Sequence, residues 1–396
     1  MIGFYSTWPF FVCIALLLAI ASTPLFKAAD TPPGLSNKRI ATMDGMRGFL
    51  ALAVVFHHAA IYHRFLSDRV WIGPPSHFLN LLGPVGVALF FMITGFLFWS
   101  QLIRSGGRPS WISLYTGRLF RIGPLYLAAV ALVLAIVAER TGLRLRVPAP
   151  SLLEELVRWL SLGVLPGPNV NGYAETGLLL ADVTWTLQWE WYFYLSLPIL
   201  ALFARRKGMH LRFVLVALVA CQAYLHLYRG GPYKPAIGSA MLFLLGMLSA
   251  SLSQEGRLVR LPDAGSSTLL VVLLVLVFQF DQPSVSSVSQ LMLGAILYLV
   301  ISGSSLFGLL KTRPAIRLGD VSYGIYLLQG LALGLIFRTS FSRRHDLGSP
   351  FDHWMLCLAC AVLLVGVATA THVWIERPGI LVGKRVATAL RRRWEH

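Results

Sequence analysis

Two adjacent histidines, His57 and His58, stand inside an apolar run, Met43 to Tyr62, that opens with Asp44, Gly45, Arg47 and Gly48. Arg47 and His58 are eleven positions apart. At about 100° and about 1.5 Å per residue, a helix puts them on nearly the same face, about 16 Å apart along its axis. An ionisable group at bilayer depth is costly and by default marks a functional site facing the protein interior. An imidazole, with an unperturbed pKa of about 6.5, suits proton abstraction from a hydroxyl near neutral pH. His58 is thus a candidate general base, the plainer alternative being an interior histidine that only packs and hydrogen-bonds. Its depth, about 15 Å from the inner end, lies near the bilayer midplane, within reach of substrates from either side. His57, offset by about 100°, is expected to contact a neighbouring helix.

Glu190, in T-W-T-L-Q-W-E-W-Y-F-Y, is the second buried-charge anomaly. At about 9 Å inside the outer end of its span it would approach the height of His58. It would then orient the imidazole or bind an acceptor hydroxyl, or else be a snorkelling acid in the aromatic belt of Trp185, Trp189 and Trp191. Arg118 and Arg121, spaced i, i+3 before Gly123-Pro124, share a helix face. Guanidinium pairs suit bidentate phosphate binding, and simple topology signalling explains them as well. Gly319, Asp320, Ser322, Tyr323 and Tyr326 open a late span with unusual polarity and Gln329 follows further in, as partners for helix packing or as a substrate channel. Thr94, within G-V-A-L-F-F-M-I-T-G-F, permits close helix approach or a water-lined groove.

The elements that must hold these groups are membrane helices. Of 396 residues 56% are hydrophobic and 13% charged, where soluble domains carry about 25% charged residues. Several apolar runs are long enough to cross a hydrocarbon layer of about 30 Å. The formal charge of +17 sits in short clusters between these runs, which orients a membrane protein and gives no nucleic-acid stripe. Cys13, Cys221, Cys357 and Cys360 all fall inside apolar runs without convergent His or acidic residues, so no metal site is expected.

The reading is an all-α, polytopic integral membrane protein of about eleven transmembrane helices. The expected spans lie at about 8–26, 48–65, 78–99, 122–138, 184–203, 211–228, 236–252, 268–280, 288–310, 321–337 and 351–375. The N-terminus is placed outside and the C-terminus in the cytoplasm. This puts roughly two thirds of the Lys and Arg inside, Arg118 and Arg121 in a cytoplasmic loop, and Arg338, Arg343 and Arg344 in an outer one. A Pro/Gly-rich linker from Thr31 to Leu35 follows the first span, with Lys38 on the inner side. In the longest outer segment, Ser151 and Glu154 have capping-box spacing, opening a short interfacial amphipathic helix.

In this order the motifs resemble the membrane-bound acyltransferase 3 family of bacterial sugar and polysaccharide O-acyltransferases. The matching stretches are D-G-M-R-G at 44–48 with His58, G-V-A-L-F-F-M-I-T-G-F at 86–96 and R-L-F-R-I-G-P at 118–124. T-W-T-L-Q-W-E-W-Y-F-Y at 184–194, L-G-D-V-S-Y-G-I-Y-L-L at 318–328 and W-I-E-R-P-G at 374–379 complete the set. The resemblance implies a ten-helix core in the bacterial inner membrane, spanning residues 39–385. An extra helix and linker (1–38) precede it and a basic cytoplasmic tail (386–396) follows. No bound cofactor is implied; acyl-CoA, usually acetyl-CoA, is the cytosolic donor, and a glycan or lipid-linked sugar outside is the acceptor. His58 would be catalytic, as general base or as a transient acyl carrier, with Arg47 its motif partner and Glu190 beside them. Arg118 and Arg121, with Ser322 and Tyr323, would bind the donor; Asp44, His57, Thr94 and Gln329 would support. Gln329 stands where many members carry His, and Trp191 where a second acid is frequent. A reading from another class is a proton-coupled transporter of a sugar or acyl compound with no covalent chemistry; no inverted repeat is evident in the motif order.

Overall fold

A computed structural model describes residues 2–30, 39–228, 231–280, 286–339, 345 and 348–394. The linker Thr31–Leu35, Lys38, Arg343 and Arg344 lie outside the described residues. The described residues form helices joined by short loops, with no strand among them.

In chain order the helices are α1 (Trp8–Ser22), α2 (Ala41–Asp68), α3 (His77–Arg104), α4 (Trp111–Arg140), α5 (Ala149–Leu160), α6 (Trp185–Ala204) and α7 (Met209–Leu227). There follow α8 (Lys234–Gln254), α9 (Asp263–Val277), α10 (Ser287–Ser302), α11 (Arg313–Asp320), α12 (Ser322–Phe337), α13 (Pro350–Thr371) and α14 (Arg377–Trp394). A π-helical turn, His372–Glu376, joins the last two. Among the described residues six helices are long and apolar enough to cross a membrane, by length and composition: α2, α3, α4, α7, α8 and the continuous run Pro350–Arg392. A seventh arises if α11 and α12, bent by 67° at their junction, count as one span. Each expected apolar segment overlaps one of these helices, or α6, or one of the shorter α1, α9 and α10.

Three local expectations are corrected. First, α4 starts at Trp111, capped by the Ser110 hydroxyl, well before the expected Ile122, so Arg118 and Arg121 lie within a helix and not in a loop. Second, Ser151 does not cap α5. Pro148 is the N-cap and a proline stands in the first turn, where its fixed φ favours helix initiation; Glu154 pairs with Arg158 at 2.7 Å. Third, α10 ends at Ser302, stopped by Gly303 at φ 116°, short of the expected Leu310.

α2 is the central element, packed on α3, α11 and α12. Its N-terminal glycines explain why: a Cβ on Gly45 would fall on the Leu310 carbonyl, and one on Gly48 would lie 2.7 Å from the Leu318 Cβ. Glycine there lets α2 approach α11 backbone to backbone, which places the neighbouring Asp44 and Arg47 against the bend. The end of the bundle that holds α2's N-terminus also gathers several polar ties. Asp30 meets Arg317 at 2.5 Å, Arg39 pairs with Asp320, His210 lies 3.8 Å from Glu255, and Asp263 accepts from the Ser305 hydroxyl at 2.7 Å.

Candidate active site

The charged opening of α2 is pinned from both sides. Asp44 accepts from Arg39 at 3.0 Å and lies 3.7 Å from Arg47. Arg47 donates to the Ser322 hydroxyl at 3.2 Å, and that hydroxyl donates to the Gly319 carbonyl at 2.8 Å. Thus the bend between α11 and α12, which exposes the first turn of α12, is read directly by the arginine of D-G-M-R-G.

Arg47 faces a cavity of about 150 Å³ shared by α2, α3, α4, α6 and α12. Its polar lining is Arg47, Arg118, Arg121, Glu190, Ser322 and Tyr323. Thr94, Thr186, Tyr194 and Tyr326 complete it, and Val87, Phe90, Phe91 and Leu187 form an apolar wall. Three guanidinium groups line one cavity, a group type whose forks match phosphate oxygens and which is more weakly hydrated than ammonium. Arg118 also lies 4.6 Å over the Phe98 ring, a cation–π contact that holds its side chain. Tyr194 donates to Glu190 at 2.6 Å. Glu190 is therefore placed among the arginines and not, as its depth led us to expect, at His58; α6 packs on α3 and α7.

His58 lies further along α2, and its surroundings specify its tautomer. Nδ1 faces two oxygens, the Val54 carbonyl and Gln329 Oε1, each at 3.1 Å. The Gln329 amide nitrogen donates to the Tyr326 carbonyl at 2.7 Å, which turns its oxygen toward the imidazole. With acceptors on both sides, Nδ1 carries the proton and Nε2 is left with the lone pair, as a base requires. The Trp71 ring lies nearly parallel to His58 with centroids 6.2 Å apart. His57 turns the other way: its Nδ1 meets the Leu79 carbonyl at 2.8 Å, and its ring fills the space left by Gly83 on α3.

A second cavity, of about 470 Å³, lies toward the other end of α2 and α12. It is lined by Tyr62, Gly330, Gly334 and Arg338, with Glu139 and Arg140 from α4. Along α12 the first cavity uses Ser322, Tyr323 and Tyr326, and the second takes over from Gly330. Along α2 the corresponding residues are Arg47 and Tyr62. The His58–Gln329 pair falls in the interval on both helices.

Thr186 and Tyr194 of this arrangement were not singled out from the sequence. With Glu190 they lie at i, i+4 and i+8 and share a face; that spacing was a readable signal. Tyr326, of the polar cluster that opens the late span, lies one turn before Gln329, and its hydroxyl meets Thr186 at 3.0 Å. Glu376, of W-I-E-R-P-G, is 2% exposed. One of its oxygens lies 3.4 Å from His372 Nδ1, and the other has no hydrogen-bond partner. Among the described residues no group of three or more His, Cys, Asp or Glu is placed to hold a metal ion.

Comparison with known proteins gives a consistent set of relatives. A family model described as "Acyltransferase domain" matches residues 40–371. The chain is 25% identical over 390 residues to "Nodulation protein 10" of Rhizobium leguminosarum bv. viciae, covering 87% of this chain and 96% of that one. It is 27% identical over 324 residues to "Exopolysaccharide production protein ExoZ" of Rhizobium meliloti (strain 1021), covering 76% and 91%. No solved structure matches.

Proposed function

Because the chain belongs to the Acyltransferase domain family, we propose that it moves an acyl group, acetyl in the first instance, from cytosolic acyl-CoA to a hydroxyl of an extracytoplasmic glycan. The name of the ExoZ relative refers to exopolysaccharide production, which supports a glycan acceptor. In this reading the chain crosses the bacterial inner membrane eleven times. The Arg47 end faces the cytoplasm and the Arg338 end faces outward.

The acyl-CoA phosphates are held by Arg118 and Arg121, with Arg47 and the first backbone N–H groups of α12 adding to the same positive field. Ser322 and Tyr323 line the path of the donor arm, and the thioester reaches past Tyr326 toward His58. The acceptor enters from the Arg338 end. His58 Nε2 takes the hydroxyl proton, the oxygen attacks the thioester carbonyl, and the new ester C–O bond forms as the C–S bond breaks. The imidazolium returns its proton to the departing CoA thiolate, which regenerates the base. Gln329 and the Val54 carbonyl hold the proton on Nδ1 throughout. The observation that carries the reading is the His58–Gln329 pair set between two cavities, one rich in arginine.

The test is transfer of label from acetyl-CoA to glycan in isolated membranes. Wild-type protein labels the glycan and His58→Ala does not. Wild-type rates in His58→Ala would remove the catalytic assignment. Proton-gradient-driven flux without acyl-CoA consumption would replace the reaction by transport.

A further inference from the structure

α6 turns Glu190 and Tyr194 into the arginine cavity and turns Tyr192, Ser196 and Leu200 into a separate groove of about 330 Å³. α7 and α8 complete that groove, and the small side chains of Ala217 and Ala240 leave the room in it. The Ser196 hydroxyl donates to the Phe193 carbonyl at 2.8 Å, so the wall at that point presents hydrocarbon. Beside the groove, Ile199 on α6 is 65% exposed and Val216 on α7 69% exposed, apolar surface of the kind that lipid covers on a membrane helix.

The groove ends at Leu200 and Phe213, where the Phe203 and Phe213 rings stack with centroids 4.1 Å apart. Directly beyond is the turn from α6 to α7, at the end of the bundle that holds the N-terminus of α2. It carries Arg205, Arg206 and Lys207, and Arg212 follows in the first turn of α7. All four side chains are exposed, and none has a carboxylate partner among the described residues. The carboxylate at this corner, Glu255, is paired with Arg257 at 3.0 Å and lies 3.8 Å from His210. No side chain caps α7, so its first N–H groups add to the same positive end. Orienting the chain in the membrane accounts for basic residues between spans, but not for a groove that ends among them.

An apolar groove running into unpaired cations at a bilayer surface matches a molecule with a hydrocarbon chain below an anionic head. A soluble anion makes no use of the groove, and a zwitterionic lipid makes little use of the excess positive charge. We propose that the groove and the turn together bind one anionic phospholipid from the leaflet on the Arg47 side. A chain lies between α6 and α8, and the phosphate meets Arg205, Arg206, Lys207 and Arg212. The back of the groove is a stack of rings: Phe243 lies 4.4 Å from Phe193 and 4.8 Å from Phe91, and Phe91 lines the arginine cavity. A seated chain thus packs on the reverse of that cavity's wall. This lipid is neither donor nor acceptor, and its binding does not depend on the acyl-transfer reading.

The test counts bound lipid by native mass spectrometry on purified full-length protein, released into detergent from nanodiscs of equal parts phosphatidylglycerol and phosphatidylcholine. We expect one phosphatidylglycerol per chain, retained at least about tenfold over phosphatidylcholine. The double variant Arg206→Gln, Lys207→Gln removes two charges, and Ala240→Trp fills the groove; each lowers that retention at least about tenfold. Melting temperatures identify a variant that has not folded, and because Arg206 and Lys207 are exposed, the double variant decides if Ala240→Trp fails. Soluble glycerophosphoglycerol, the head without chains, leaves the retained lipid in place. Equal retention of the two lipids, wild-type retention in either folded variant, or displacement by glycerophosphoglycerol overturns the phospholipid site. Absence of acetyl transfer with the lipid still bound overturns the acyl-transfer reading alone and leaves this site standing.

Discussion

Gln329 Oε1 lies 3.1 Å from His58 Nδ1, and this contact decides which imidazole nitrogen is available as a base. The two residues are 271 positions apart and are brought together by α12 packing on α2. Removing Gln329 leaves Nδ1 the Val54 carbonyl as a partner and frees the ring to turn. Gln329→Ala is expected to lower kcat for acetyl transfer about 5- to 160-fold, the range given by losing a buried hydrogen bond of about 1–3 kcal/mol. The KM for acetyl-CoA stays within about twofold, because Gln329 is not part of the arginine-lined cavity. Steady-state kinetics across both parameters checks this; a change confined to KM would sink the positioning role.

The arginine cavity makes a different forecast. Arg118→Lys and Arg121→Lys keep the charge and lose the planar fork. Each is expected to weaken acetyl-CoA binding about 10- to 150-fold, a charge-assisted hydrogen bond of about 1.5–3 kcal/mol. Near-normal turnover is restored at saturating donor. Direct binding measurements at several salt concentrations test it, and unchanged affinity in both variants would exclude this cavity as the phosphate site.

Glycines on two helices separate packing from propensity. At Gly48 an added Cβ meets the Leu318 Cβ at 2.7 Å and the Gly319 nitrogen at 2.9 Å, whereas at Gly117 nothing lies within 4 Å. Gly48→Ala is expected to destabilise by about 1–3 kcal/mol through overpacking. Gly117→Ala is expected to stabilise by about 0.5–1 kcal/mol through helix propensity. Thermal melts of the purified variants give both signs, and the same sign at both sites would refute the account of α2 and α11.

Much of this site was legible because α2 is regular. The eleven-residue spacing of Arg47 and His58 predicts one shared face, and both residues do bond to the same partner helix, at Ser322 and Gln329. Apolar runs likewise located the helices. What a single sequence does not carry is lateral neighbourhood. Depth along a span suggested that Glu190 could approach His58 if their helices were neighbours, but depth says nothing about which way a side chain is turned, and Glu190 lines the cavity of the three arginines. The break at Val321 was visible only as excess polarity around Asp320 and Ser322; the 67° bend that makes those groups point into a cavity is a tertiary result. Trp71, in a loop with no periodicity to read, gave no signal of its place beside the imidazole.

A fourth prediction concerns pH at the first helix. Arg317 donates to both Asp30 oxygens, at 2.5 and 2.9 Å, and this hydrogen bonding holds the Asp30 carboxyl below its ordinary value. A folded-state pKa below the unfolded one stabilises in full above the unfolded value of about 3.9 and is lost as pH falls through the depressed one. Docking of α1 is therefore expected to be flat between about pH 5 and 8 and to loosen only in stronger acid. Asp30→Asn should loosen it already at neutral pH. Amide hydrogen exchange over residues 8–30 reads this out; loosening of the wild type between pH 5 and 8 would contradict it.

Arg317 also donates to the Ala21, Ser22 and Thr23 carbonyls, at 2.9, 3.3 and 3.4 Å, groups that a helix C-terminus otherwise leaves without partners. Ala21 precedes that guanidinium by 296 positions. A ribosome making the chain thus completes α1 long before the residue that holds its C-terminal carbonyls. Phe10 of α1 can already meet Phe56 on α2 and Phe78 on α3, but its last turn gains these donors only with α11. A chain stalled before Arg313 would therefore have α2 and its histidine made while the end of α1 still lacked its tie to the bend that forms the candidate site.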